Sequence, residues 1–296
     1  MNDIEISQRA REIERQFEST PRAAEFDLAQ ERLNTKDAHL LTGVPQDVSM
    51  EWETVAGASC IRMRPKDVRA DREVVFLHGG AYCLMSAMTH HRFGGHVANA
   101  VKADVIIPDY ALAPEAPYPV ARDECLAVVQ DRLAAGPGHC ILVGDSAGGG
   151  LALSVACALR DAGEGSPSAV VLMSPWLDLS LSGPCLQSGN IDDPILSLRN
   201  LKALADLYRG DHDLTDPGVS PLFAKLHDLP PLLLQVAEKD LLREDAERLA
   251  ARWPDPDALT VETCRGMLHS FQMFAGDMPE ADLAIARIPA FLNRHL

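Results

Sequence analysis

Aromatic residues are scarce in this 296-residue chain, where phenylalanine, tryptophan and tyrosine make up 5%. So small a share argues against a β-sandwich or a propeller, which repeat aromatics blade by blade or strand by strand. Positive charge is scarce too: 27 lysines and arginines face 43 aspartates and glutamates, a formal charge of -16. A surface this acidic repels phosphate backbones, so no nucleic-acid partner is expected and a neutral or cationic small molecule is favoured. No apolar run reaches the ~18 residues that a membrane span needs. Met1-Asn2-Asp3-Ile4-Glu5 has neither the basic nor the apolar region of a secretory signal, so the expected setting is cytoplasmic.

Metal and redox spacings are missing as well. Cys60, Cys83, Cys125, Cys140, Cys157, Cys185 and Cys264 are odd in number and contain no C-x-x-C pair. They read as small buried hydrophobes in a reducing compartment. Cys83 stands apart because it follows a His-Gly-Gly turn, where a place in a pocket wall competes with a structural role. There is no H-E-x-x-H, and Gly148-Gly149-Gly150 lacks a Walker lysine. Neither a metal nor a cofactor is expected.

What is present is an ample apolar share, 47%, enough for one large domain with a small appendage. Residues 1–45 are charged and helix-prone, with Ile4, Ala10, Ile13 and Phe17 at helical spacing, and a second helix is predicted over 23–33. Two short amphipathic helices must lie over something, either as a lid over a site or as packing on the far face. From Val48 the period becomes two, as in an antiparallel pair broken at Gly57. Strands and helices then alternate, giving eight strands in a mostly parallel sheet covered on both faces. Residues 179–226 interrupt the alternation and would sit above the strand ends as part of a cap.

Gly144-Asp145-Ser146-Ala147-Gly148 follows the run Cys140-Ile141-Leu142-Val143 and precedes a helix predicted from Ala147 to Ala162. That places Ser146 on a tight strand-to-helix turn, its hydroxyl lifted from the sheet at the positive end of a helix. By itself such a pentapeptide is also an ordinary glycine-rich turn. Its company changes the reading. His78-Gly79-Gly80-Ala81-Tyr82, Asp240 and His269 each follow a strand-like run, and open α/β sheets build sites at the carboxyl ends of their strands.

A serine hydroxyl needs a base, and an imidazole needs a carboxylate to fix its tautomer. The order Ser146, Asp240, His269 suits this type of fold. Of the ten histidines, His269 alone lies in a loop between the last strand and the following helix, while His78 reads as a donor shaping its own turn. Asp178 is the runner-up to Asp240 as the acid, with Glu238 and Asp245 as nearer neighbours of Asp240. The N–H of Ala147 and the turn at Gly79, Gly80 and Ala81 can hold an oxyanion.

The segments His78-Gly79-Gly80-Ala81, Asp109-Tyr110-Ala111-Leu112-Ala113-Pro114-Glu115 and Gly144-Asp145-Ser146-Ala147-Gly148-Gly149 resemble the hormonesensitive-lipase-like esterases (bacterial family IV) of the α/β-hydrolase fold. So do Ser174-Pro175-Trp176-Leu177-Asp178-Leu179, Val219-Ser220-Pro221-Leu222 and Leu229-Pro230-Pro231. The resemblance implies an N-terminal helical cap at 1–45, a catalytic domain at 46–296 with a second cap segment at 180–226, and no cofactor. It implies a serine carboxylesterase for short or medium acyl esters, and relatives dimerise through the last strand and final helix. Lactones, amides or carbonates are alternative substrates for the same triad. A non-catalytic receptor is a further alternative, but the receptors that look like this family lack the histidine that His269 supplies. Ala81 stands where the third glycine is usual, Ala111 where an arginine is, and Ala237 where a glycine is. The pocket is expected to draw on Tyr82, Leu84, Met85, Met88 and Asp145.

Overall fold

A computed structural model describes residues 5–21, 23–135, 138–184, 186 and 193–296. Ile4 and Cys185, and part of the second expected cap segment, lie outside the described residues. The strands are β1 (Val48–Val55), β2 (Ala58–Pro65), β3 (Arg72–Leu77), β4 (Asp104–Pro108), β5 (His139–Asp145), β6 (Ala169–Met173), β7 (Leu232–Ala237) and β8 (Leu259–Cys264). They form one eight-stranded sheet in the order β1-β2-β4-β3-β5-β6-β7-β8. β1 and β2 run antiparallel to their neighbours, and the other strands are parallel.

Every residue of β3, β4, β6 and β7 is buried, as expected of parallel strands covered on both faces. Side chains alternate between two cores. Val75, Leu77, Leu142, Leu232 and Leu234 enter one, while Val74, Phe76, Ile141, Val143 and Leu233 enter the other.

Among the described residues, α-helices cover both faces. The first core receives α4 (Val120–Ala135), α5 (Ala147–Ala162), α6 (Leu198–Arg209) and α7 (Arg243–Arg252). The second receives α1 (Gln8–Ser19), α3 (Ala87–Val101) and α8 (Pro279–His295).

One sequence expectation differs from the structure. The second N-terminal helix, α2, spans Leu28–Thr35 rather than 23–33, because the Asp27 carboxylate caps it by accepting the N–H groups of Ala29 and Gln30. The alternating apolar residues of β1 do not make a buried face: Met50 and Trp52 are 42% and 47% exposed. On its other side the strand meets charge instead. Arg62 of β2 donates to Glu53, Glu73 and Asp104, a compact ionic cluster at this edge of the sheet.

The topology sets the ends of β3, β5, β7 and β8 along one edge, so the polar groups that follow them meet there. Deleting a buried branch from one of these strands tests the cost of keeping that edge assembled. Leu234→Ala, at a fully buried position of β7, is expected to destabilise the protein by about 3 kcal/mol in denaturant unfolding.

Candidate active site

Ser146 occupies a backbone conformation that side chains rarely adopt, φ 50° and ψ -121°. The turn is tight enough to exclude neighbouring side chains. A Cβ at Gly148 would lie 2.0 Å from the Leu77 carbonyl oxygen, and one at Gly144 would lie 2.2 Å from the Gly148 oxygen. The serine is stitched in place through its backbone, its N–H donating to Met173 and its carbonyl accepting from Trp176, each at 2.9 Å.

Ser146 is also the N-cap of α5, yet its hydroxyl makes no capping bond. A serine in that position usually accepts from the first turn of its helix. Here Oγ lies 2.9 Å from His269 Nε2 instead, and His269 Nδ1 lies 2.9 Å from Asp240 Oδ2. The three side chains are all buried. The loops that carry the acid and the imidazole are bound to each other: Lys239 N–H donates to Met267 O, and the Glu238 carboxylate accepts from Gly266 N–H.

The other candidate acids are occupied elsewhere. Asp178 accepts from Ser180, Ser182 and Arg248. Asp245 accepts the N–H groups of Leu177 and Asp178. Burial pushes the pKa of His269 down, but the charge and hydrogen bond of Asp240 push it up, with Asp193 and Asp145 adding to them. The net shift is upward.

The His78-Gly79-Gly80 turn adjoins the serine turn, the His78 carbonyl oxygen lying 2.6 Å from where a Cβ on Gly148 would stand. Gly80 has φ +114°, and its carbonyl accepts from both Cys83 and Leu84. Ala81, Tyr82 and Met85 follow with left-handed backbones at φ 51°, 62° and 66°. Among the described residues, the N–H groups of Gly80 and Ala81 have no hydrogen-bond partner. Ala147 begins α5, where the first N–H groups of a helix lack intrahelical acceptors.

Gly79 is a correction. Its N–H donates to Asp145 Oδ1 at 2.9 Å, so it is already committed and cannot serve as an oxyanion donor. Asp145 is corrected with it. Placed by sequence in the pocket, it is 2% exposed and sits behind the turn, with Ser270 Oγ and His90 Nε2 each 3.4 Å from its oxygens. Asp145 remains ionised although burial favours its neutral form, because His90 and the Gly79 N–H oppose that and carry the net shift downward.

Tyr82 and Leu84 are buried, and Tyr82 stacks on Tyr208 with ring centroids 3.8 Å apart. Met85 is partly buried and Met88 is exposed. Cys83 is buried, and burial pushes its thiol up to about 12, which suits the structural role. His78 shapes its turn, as the sequence suggested. Its ring stacks on Tyr110 at 4.0 Å, its Nδ1 lies 2.7 Å from Gly79 O, and burial followed by the nearby His90 lowers its pKa to about 3.

Two residues escaped the sequence. His90 reads as a helix-face histidine in one dimension but is fully buried against Asp145. Asp193 lies in the insertion, far along the chain from Leu241, whose N–H it accepts at 2.8 Å. An Asp-Pro pair marks a turn and says nothing about such a partner.

The N-terminal helices contact the rest of the fold at separate places. Arg32 of α2 donates to the carbonyls of Cys83 and Ala113 and to both oxygens of Glu115. Glu31 accepts from Asn200 of α6. α1 instead packs beyond His269, with Phe17 against Phe274 and Ser7 on Glu280. Among the described residues, no group of three or more metal-ligating side chains is assembled, and no helix is long and apolar enough to cross a membrane.

Residues 74–273 match the family described as the alpha/beta hydrolase fold. The chain is 39% identical over 227 residues to an esterase of Acinetobacter venetianus, covering 75% of each protein. It is 34% identical over 285 residues to an acetyl-hydrolase of Streptomyces hygroscopicus, covering 94% of this chain and 91% of that one. A solved esterase of the bacterial hormone-sensitive lipase family superposes with a TM-score of 0.90 at 32% identity, over 99% of both chains. EstE5 soaked with p-nitrophenyl butyrate superposes at 0.89 with 30% identity, over 98% of this chain and 99% of that one.

The raised pKa of His269 is open to direct measurement. Its imidazole is expected to titrate above the ordinary 6.5 in NMR, and Asp240→Asn is expected to move that midpoint down. A midpoint unmoved by Asp240→Asn would sever the acid from the imidazole.

Proposed function

The chain belongs to the hormone-sensitive-lipase-like family of α/β hydrolases, and from that we propose that it hydrolyses short- to medium-chain carboxylic esters through an acyl-enzyme on Ser146. The observation that carries the reading is the unbroken chain Ser146–His269–Asp240, with 2.9 Å at each link. The solvent-poor setting of that chain strengthens each of its charge interactions.

In this reading His269 Nε2 takes the proton of Ser146 as Oγ bonds to the ester carbonyl carbon. Negative charge moves to the carbonyl oxygen, where the N–H groups of Gly80, Ala81 and Ala147 receive it. The carbon–oxygen bond to the alcohol then breaks, and the imidazolium hands its proton to the departing oxygen. Asp240 holds the tautomer and stabilises the imidazolium without becoming protonated. Water, deprotonated by His269, attacks the acyl carbon, and Ser146 leaves with the proton.

Residues 1–45 and 180–226 form the cap in this proposal. The support is Arg32, which grips the turn after the oxyanion donors, and the contact of Glu31 with Asn200. The Ala81 methyl, on a left-handed backbone, narrows the acyl side and favours short chains. Among the described residues six cysteines are free and buried, which supports a reducing, cytoplasmic setting. Pairing of two copies along β8 and α8 is part of the same reading, and sedimentation would measure it.

Three outcomes are expected. Ser146→Ala should lower p-nitrophenyl acetate hydrolysis by about 10⁴-fold or more and abolish labelling by a fluorophosphonate; retained turnover would sink the assignment, and a silent Ser146 in the parent protein would revive the receptor alternative. Across an acyl-length series, kcat/KM should peak at short chains. Ala81→Gly should shift that peak to longer chains without loss of stability, since glycine adopts φ > 0 freely.

A further inference from the structure

Three carboxylates act on the imidazole of His269, and they arrive on three different segments: Asp240 after β7, Asp145 at the end of β5, and Asp193 from the insertion between β6 and β7. The first belongs to the triad and the second braces the Gly79 turn. Asp193 has no role in the reaction described so far. It is 1% exposed.

Its hydrogen bonds are specific. One oxygen accepts the N–H groups of Ile195 and Leu196 at 2.8 and 2.9 Å, which folds the chain just after Asp193 around its carboxylate. The other accepts the N–H of Leu241 at 2.8 Å. Leu241 directly follows Asp240, and the next N–H, of Leu242, returns to Asp240 Oδ1 at 2.8 Å. Asp240 thus sits on a two-residue turn held at both N–H groups, by Asp193 outside and by its own side chain inside. Without Asp193 the buried Leu241 N–H would need another acceptor.

A neutral amide could accept that bond. A carboxylate in this place does something more, because it lies beside Asp240 in a dry setting where like charges repel. Burial and then the Asp240 charge raise its pKa from the ordinary carboxylate value, while His269 opposes them. The unfavourable proximity to Asp240 is offset where the imidazole becomes positive.

We propose that Asp193 is a positioning residue of the catalytic centre, which ties the cap insertion to the Asp240 turn and adds a further negative charge near His269. The proposal rests on the Ser146–His269–Asp240 reading above. Among the described residues, the charged groups that act on the imidazole include Asp240, Asp193 and Asp145, and those that act on Asp193 include Asp240 and His269.

The test compares Asp193→Asn, Asp193→Ala and Asp193→Glu in the 296-residue chain. It measures kcat and KM for p-nitrophenyl acetate across pH, fluorophosphonate labelling of Ser146, and thermal unfolding. Asp193→Asn should keep KM within about twofold of the parent, lower kcat several-fold, and move the acidic limb of kcat/KM to lower pH. The sign follows from charge: a less negative surrounding lets the imidazole lose its proton more readily. Asp193→Ala should show the same displaced limb with a kcat loss of about 10- to 100-fold, the scale on which small misplacements act. Asp193→Glu keeps the charge and should leave the limb where the parent has it, which keeps the comparison decisive if the neutral variants fail to fold. An acidic limb unmoved in Asp193→Asn, or activity lost only in step with the melting temperature, would overturn the proposal. So would an Asp193→Glu limb displaced like that of a neutral variant. Normal Ser146 labelling in the parent separates any of these results from failure of the triad itself.

Discussion

The close approach of α5 to the ends of β3 and β5 is the constraint on which the site depends. The Leu77 oxygen occupies the space where a side chain at Gly148 would stand, and the Gly148 oxygen fills the space beside Gly144. That closeness bends the chain so sharply that Ser146 takes a strained backbone. Strain of this kind persists only where the surroundings over-determine it. Here they do, through backbone bonds to Met173 and Trp176 in the neighbouring segment. The hydroxyl is thereby kept from capping its own helix and is presented to the imidazole.

Around that turn the protein gathers buried charge. Asp145, Asp193 and Asp240 are each at most 2% exposed. Each receives hydrogen bonds from backbone N–H groups, and Asp145 and Asp240 each approach an imidazole. The same bonds organise the backbone, because the carboxylate of Asp145 holds the Gly79 turn and that of Asp193 holds the Asp240 turn. Electrostatics and loop geometry are therefore one system, and removing a carboxylate disturbs both.

Much of this was legible in one dimension. The apolar strand runs are short and nearly continuous, as strands buried on both faces must be, and β5 and α5 fall where the residues around Ser146 predict them. The nucleophile, base and acid candidates were recognisable because each follows a strand. Asp240 stood ahead of Asp178 by position alone, and the structure separates them by what they touch. Asp145 adjoins Ser146 in sequence, but adjacent residues on a tight turn point in different directions, and Asp145 turns behind the glycines. The alternation of β1 marked its antiparallel pairing with β2, but whether a face is buried depends on what packs there, and this edge strand leaves Met50 and Trp52 exposed.

By itself the sequence determined the kind of sheet, the order of its strands along the chain and the chemical groups at their ends, because period and residue type are local properties. It also determined the glycines without which the turn at Ser146 could not close. Only the tertiary structure decided which N–H groups remain available, since Gly79 loses its own to a residue 66 positions away. It likewise decided that His90 and Asp193 stand behind the site, because a hydrogen bond across 48 residues, such as that from Leu241 to Asp193, leaves no trace in local pattern. Long-range pairing is set by how segments pack, and packing is a property of the whole chain.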